Sequence, residues 1–307
     1  MFQYAFSKAI KLAQGNDTSL IFDFSRVYNA GKQEDGWEDA LRYFKVENYR
    51  NEKIRMRKNT SVLQTIILSL YIIDKKLDFF FNEELWFSLL RKYGLLFVSS
   101  NGGNSQYYYP IYHKYLNHGT FEKIICNGYF LVPALFDHIK PVLMEEFTPK
   151  LPPRTENKNL YDVINSTNSV CVTVRRGDYL DDCFKNKYFV CDINYFNAAI
   201  KKAKDVIQKP VFVFFSDDIE WVKRNISVDA PSYYESGKDP VWEKLRLMYS
   251  CKHFIISNST FSWWAQYLSR NTENKVVISP DHWFNIKIEG RSSLISDDFI
   301  TIPCKYL

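Results

Sequence analysis

From residue 170 to residue 279 the chain repeats one pattern: a short apolar run, then a longer segment of helical period. VCVTV (170–174), VFVFF (211–215), HFIIS (253–257) and KVVIS (275–279) are the short runs. INYFNAAIKKAKDVI (193–207), DIEWVKRNI (218–226), PVWEKLRLMYS (240–250) and TFSWWAQYLS (260–269) are the helical ones. A strand that is apolar at every position is covered on both faces. Strands that alternate with helices pair in parallel. The pattern therefore predicts an α/β fold built on a parallel sheet. Such sheets bind ligands beyond the carboxyl ends of their strands. The residues just after the apolar runs are the first candidates: Arg175, Arg176 and Asp178; Ser216, Asp217 and Asp218; Asn258 through Ser262.

The N-terminal half is more helical. MFQYAFSKAIKLA (1–13) suits a helix with Phe2, Phe6, Ala9 and Ala13 near one face, and SLIFDF (19–24) a strand. Residues 61–97 carry helical patterns, CNGYF (126–130) a strand or turn, and ALFDHIKPVLMEEF (134–147) a helix interrupted or kinked at Pro141. The polar, proline-bearing TPKLPPRTENKN (148–159) is the clearest boundary. It divides a domain of residues 1–150 from one of residues 160–307, and 307 residues suit two domains of about 150 each.

Composition narrows the function. With 46% hydrophobic and 24% charged residues the chain reads as soluble and globular. A net charge of +5 suits an anionic ligand but is too small and dispersed for a nucleic-acid footprint. The densest basic run, KIRMRK (53–58), reads as a solvated helix face, with a peripheral membrane contact as the alternative. The six cysteines form no C-x-x-C pair and have no histidine cluster beside them, which argues against structural zinc. Cys171 and Cys251 lie in or beside apolar runs, as buried free thiols of a reducing, cytoplasmic compartment do. SVLQTIILSLYII (61–73) is shorter than the ~18 residues of a membrane span and reads as a core helix.

Each motif has a chemical and a structural reading. Arg175 and Arg176 offer planar forks suited to phosphate oxygens, and Gly177 allows close backbone approach; an ion pair with Asp178 is the structural alternative. Asp217 and Asp218 suit a divalent metal, a sugar or base edge, or the cap of the next helix. Asn258, Ser259, Thr260 and Ser262 stand at a strand-to-helix junction, where open amides favour anions. The chain has neither G-x-G-x-x-G nor a P-loop, so arginine and a helix end would have to hold any phosphate.

VTVRRGDY (172–179) resembles the H-x-R-R-x-D signature of the α-1,2-fucosyltransferases, glycosyltransferase family 11. FFSDD, SNSTFSWWAQYL, NGYF with the following EEFTPK, and MFQYAF resemble other motifs of that family, in family order. The resemblance implies two Rossmann-like domains in the glycosyltransferase B-type fold. The N-terminal domain would face the acceptor, and the C-terminal domain would hold the nucleotide sugar. It implies inverting, metal-independent transfer from GDP-fucose, with no further cofactor, to a hydroxyl of an oligosaccharide or glycolipid, galactose O2 first. Carried onto this chain, Arg175 and Arg176 would bind the diphosphate, with Arg175 the first choice for direct contact. Asp217 and Asp218 would face guanine, Asn258, Ser259, Thr260 and Ser262 would line the phosphate site, and Asp178 would act as base. The alternatives are a metal-dependent transferase using Asp217 and Asp218, and a non-catalytic nucleotide-sugar or glycan-binding protein. Two departures stand out. The signature histidine is Thr173 here, and the family continues upstream of the stretch matched at Met1, with a first strand and a glycine loop.

Overall fold

The computed structural model describes residues 1–15, 18–25, 38–53, 60–77, 83–100, 121–271, 273–285 and 291–306. The chain divides into two compact units, Met1–Asp39 with Glu47–Lys140, and Ala40–Val46 with Pro141–Leu307. Most of the basic run, residues 54–58, lies outside the described residues.

In the first unit, α1 (Phe2–Gln14) buries Phe2, Phe6 and Ala9 as its period predicts, whereas Ala13 is exposed. Phe6 stacks on Phe130 at 4.2 Å. Lys8 and Lys11 converge on Glu47, which gives two nearly buried ammonium groups one shared carboxylate. β1 (Leu20–Phe22) pairs in parallel with β2 (Tyr49–Asn51). The helical expectation for residues 61–97 holds for α2 (Val62–Leu77) and α3 (Glu83–Lys92) but fails at its end. Leu95–Ser100 is a strand, β3, parallel to β4 (Lys123–Gly128). LLFV is apolar at every position, and so short a run has no period to separate helix from strand. Gly94, at φ 69°, ends the preceding helix and turns the chain into β3. Trp86 Nε1 donates to Asp74 Oδ2 at 2.7 Å, supplying a partner for a buried carboxylate.

The second unit holds a six-stranded, wholly parallel sheet in the order β10-β9-β8-β5-β6-β7. Its strands are β5 (Asn168–Val174), β6 (Pro210–Ser216), β7 (Ser232–Tyr234), β8 (His253–Ile255), β9 (Val277–Pro280) and β10 (Ile300–Ile302). The helices are α4 (Lys140–Glu146), α5 (Lys158–Ser166), α6 (Asp182–Tyr188), α7 (Ile193–Val206), α8 (Ile219–Asn225), α9 (Val241–Ser250) and α10 (Thr260–Tyr267). The predicted helix across Pro141 is corrected. Residues 133–135 and 137–139 form 3₁₀ turns, and an α-helix starts only at Lys140. Proline is tolerated in a first turn, where its missing N–H has no partner to lose.

β6 is buried along its whole length, as continuous apolar character requires. Val170, Val172, Val174, Phe212 and Phe214 pack with Tyr195, Phe196, Ala199 and Ala203 of α7 in one core. The proline-bearing stretch 148–159 is anchored rather than loose. Arg154 Nη1 and Asn157 Nδ2 each reach Asp239 Oδ1 at 2.9 Å. From β5 the chain runs outward through β6 to β7, then returns to the other side of β5 for β8, β9 and β10. The strand order therefore reverses between β5 and β8. There the connections leave in opposite directions, and sheets of this kind bind ligands at the carboxyl edge of such a point.

Candidate active site at the sheet switch point

Strand register builds the site. β5 and β6 run in parallel with Val174 beside Ser216, so the next residues, Arg175 and Asp217, emerge side by side. Arg175 Nη1 meets Asp217 Oδ2 at 2.7 Å, and Arg175 Nη2 donates to Asp178 Oδ1 at 2.6 Å. The other Asp217 oxygen accepts the Arg176 backbone N–H at 3.0 Å. Asp217 thus clamps the ends of two strands. Gly177 leaves room for this clamp, because a Cβ there would lie 2.7 Å from Asp217 Oδ2.

Asp218 caps α8: its Oδ1 accepts from the Trp221 N–H at 3.1 Å. Its Oδ2 stands 3.6 Å from Arg176 Nε, an ion-pair distance too long for a hydrogen bond. Ser216 completes the turn, donating to Val174 O at 2.8 Å and accepting from Asp218 N at 2.9 Å. The Arg176 guanidinium lies over the Trp221 ring, 3.6 Å from its centroid.

Across the switch point, α10 begins at the end of β8. Ser259 is its N-cap in extended conformation, but the hydroxyl makes no capping bond, so the first amides of the helix stay open beside exposed Thr260. Asn258 and Ser262 turn inward. Asn258 Nδ2 donates to Tyr188 O at 2.8 Å and to Trp283 O at 2.9 Å, and Ser262 Oγ pairs with Ser257 Oγ at 3.2 Å. Thr173, at the position of the signature histidine, is buried. Its Oγ1 accepts from Ser257 N at 3.1 Å, tying β5 to the β8 exit. Tyr179 adds a second tie, donating to Asn258 O at 3.1 Å, and burial raises its phenol pKa well above the usual value.

Arg175, Arg176, Asp178, Asp217 and Asp218 therefore form one ionic cluster, with Ser259 and Thr260 at the neighbouring helix start. Sequence reading passed over Trp221, Tyr179 and the pair Asp281–His282, which follows β9 on the same edge with Asp281 Oδ1 2.7 Å from His282 Nδ1. The polar PDH immediately after KVVIS was the signal for that pair. Trp221 carried none, because a tryptophan in an amphipathic helix reads as core.

The model of the family described as Glycosyl transferase family 11 matches residues 104–293. The chain is 34% identical to an alpha-1,2-colitosyltransferase of Escherichia coli, over 56% of this chain and 60% of that protein. It is 26% identical to the O-antigen biosynthesis glycosyltransferase WbnK of Escherichia coli, over 98% of this chain and 96% of that protein. It is also 30% identical to the galactoside alpha-(1,2)-fucosyltransferase 1 of Homo sapiens, over 44% of this chain and 40% of that protein. The matched part thus spans about three fifths of the colitosyltransferase and two fifths of the human enzyme.

Proposed function

The chain belongs to glycosyl transferase family 11, and from that premise we propose that it transfers L-fucose from GDP-fucose to a galactoside hydroxyl, galactose O2 first, with inversion. The observation that carries the reading is the arginine pair at the switch point of a parallel sheet, at the strand end next to the one that leads into an uncapped helix start. Fixed cations and open amides at neighbouring strand ends suit a diphosphate.

In the proposed reaction the acceptor oxygen bonds to the anomeric carbon as the bond from that carbon to the β-phosphate oxygen breaks. The electron pair leaves with GDP. Arg175, Arg176 and the first amides of α10 meet the charge that develops on the phosphate. Asp178 takes the hydroxyl proton. Among the described residues its Oδ2 has no hydrogen-bond donor, while Arg175 holds Oδ1. Of the two aspartates proposed for guanine, Asp218 has the more open oxygen, since Asp217 is engaged at both. That engagement also supports a metal-independent reaction in which arginine meets the phosphate charge. The acceptor is an oligosaccharide or glycolipid.

One second reading has an observation behind it: the colitosyltransferase similarity favours colitose as the transferred sugar. The test of the main reading is calorimetric titration with GDP, with UDP as control, on the wild-type chain and on Arg175→Ala. Selective GDP binding that Arg175→Ala loses is the expected result. Equal binding of both nucleotides, or GDP binding indifferent to the substitution, would overturn it. Turnover with the two GDP-sugars then decides the donor.

A further inference from the structure

We infer that Trp221 is a positioning residue of the donor site: its ring holds the Arg176 guanidinium so that the fork stays open for the diphosphate. The inference rests on the reading of Arg176 as a diphosphate ligand. The two arginines are held by different chemistry. Both Arg175 terminal nitrogens are engaged by carboxylates, at 2.6 Å from Asp178 and 2.7 Å from Asp217. Among the described residues the Arg176 guanidinium makes no hydrogen bond, although its side chain is only 17% exposed and its Nε is shut away from solvent.

What holds Arg176 instead is a ring face at 3.6 Å. All five guanidinium N–H bonds lie in the plane of the fork. A carboxylate partner would occupy that edge, whereas a ring contacts the flat face and blocks none of the donors. Stacking thus fixes the plane of the cation, and with Asp218 Oδ2 only at ion-pair distance from Nε, 3.6 Å, the guanidinium donors make no hydrogen bond among the described residues.

Trp221 is itself fixed. Its backbone N–H is held by Asp218 Oδ1, and its ring packs partly buried against the core of the second unit. The Arg176 backbone N–H hangs from Asp217 Oδ1. Adjacent aspartates at the end of β6 therefore set both partners of the stack. Trp221 takes part in donor binding without touching the donor.

A double-mutant cycle on the full chain, read by GDP titration and by the KM for the donor, tests this. Trp221→Leu removes the ring but keeps much of the volume, and should weaken GDP binding about 5- to 30-fold, the range expected for a largely desolvated cation–π contact. Trp221→Phe keeps a ring face and should stay within about 3-fold of wild type. In an Arg176→Ala background, Trp221→Leu should add less than about 2-fold, because nothing is left to position. The loss should appear in donor KM with acceptor KM unchanged. Equal weakening by Trp221→Leu in both backgrounds, or failure of Trp221→Phe to restore binding, would overturn the positioning role while leaving the donor reading intact. No GDP binding by the wild-type chain would overturn both. If Trp221→Leu does not fold, Trp221→Met takes its place in the cycle.

Discussion

Alanine at Gly177 is predicted to weaken GDP binding far more than it weakens the fold. The new Cβ would sit 2.7 Å from Asp217 Oδ2 and 3.4 Å from its Cγ. Relief requires the carboxylate to retreat by about 0.7 Å to ordinary contact distance. That oxygen ion-pairs with Arg175 at 2.7 Å, and its twin accepts from Arg176 N at 3.0 Å. A shift of this size stretches the first to about 3.4 Å and the second to about 3.7 Å, past the range in which such bonds are strong. The Asp217 carboxylate is a rigid plane, and turning it about either of the two side-chain bonds moves both oxygens together. A charge-assisted bond contributes about 1.5–3 kcal/mol, so losing the orientation of Arg175 should lower GDP affinity by about 10- to 100-fold. Gly177 opens a 3₁₀ turn, and its φ lies outside the left-handed region, so alanine meets no backbone strain there. Alanine also restricts the unfolded chain, which offsets part of the lost contact, and the melting temperature should fall by only about 2–4 °C. Titration calorimetry with GDP and thermal melts on the same preparation make the assay. Wild-type affinity in Gly177→Ala would refute the reasoning, because it would mean that the clamp on Arg175 has no part in binding.

Three further outcomes follow from the same geometry. Asn258→Ala leaves the half-buried carbonyl of Tyr188 and the buried carbonyl of Trp283 without their donor and should lower stability by about 2–3 kcal/mol in urea melts; a loss below about 0.5 kcal/mol would contradict the assigned role. Thr173→Val keeps shape but leaves the Ser257 N–H unpaired and should cost about 1–2 kcal/mol, whereas Thr173→Ser, which keeps the oxygen, should cost less. Burial, with Lys252 adding to it, holds the His253 imidazole below its usual pKa of 6.5, and its Nδ1 accepts from Val276 N. The folded state thus binds this proton more weakly than the unfolded state. The contribution is complete above about pH 6.5 and is lost as pH falls through the lower folded value, so melts from pH 8 to pH 5 should show a stability slope that His253→Gln flattens.

The sequence by itself determined the sheet and the edge where chemistry belongs. VFVFF is apolar at every position and VCVTV at all but Thr173, and burial on both faces follows from that composition wherever the strands end up in space. The polar residues after them were legible for the same local reason. The weak strands were not. β7 and β10 have three residues each, too few for a period, and LLFV of β3 reads as the continuation of a helix. Only the tertiary structure decided what the polar residues do. Arg175 and Asp217 are joined because strand register sets Val174 beside Ser216, and register is a property of two strands together. Asn258 and Ser262 turn inward while Ser259 and Thr260 face outward because the β8 exit packs against the 188 and 283 segments, which are distant in the chain. Arg176 meets Trp221 across a strand-to-helix turn whose course is set by two aspartates. Local composition states which groups are available; pairing between distant segments states which of their bonds remain free for a ligand.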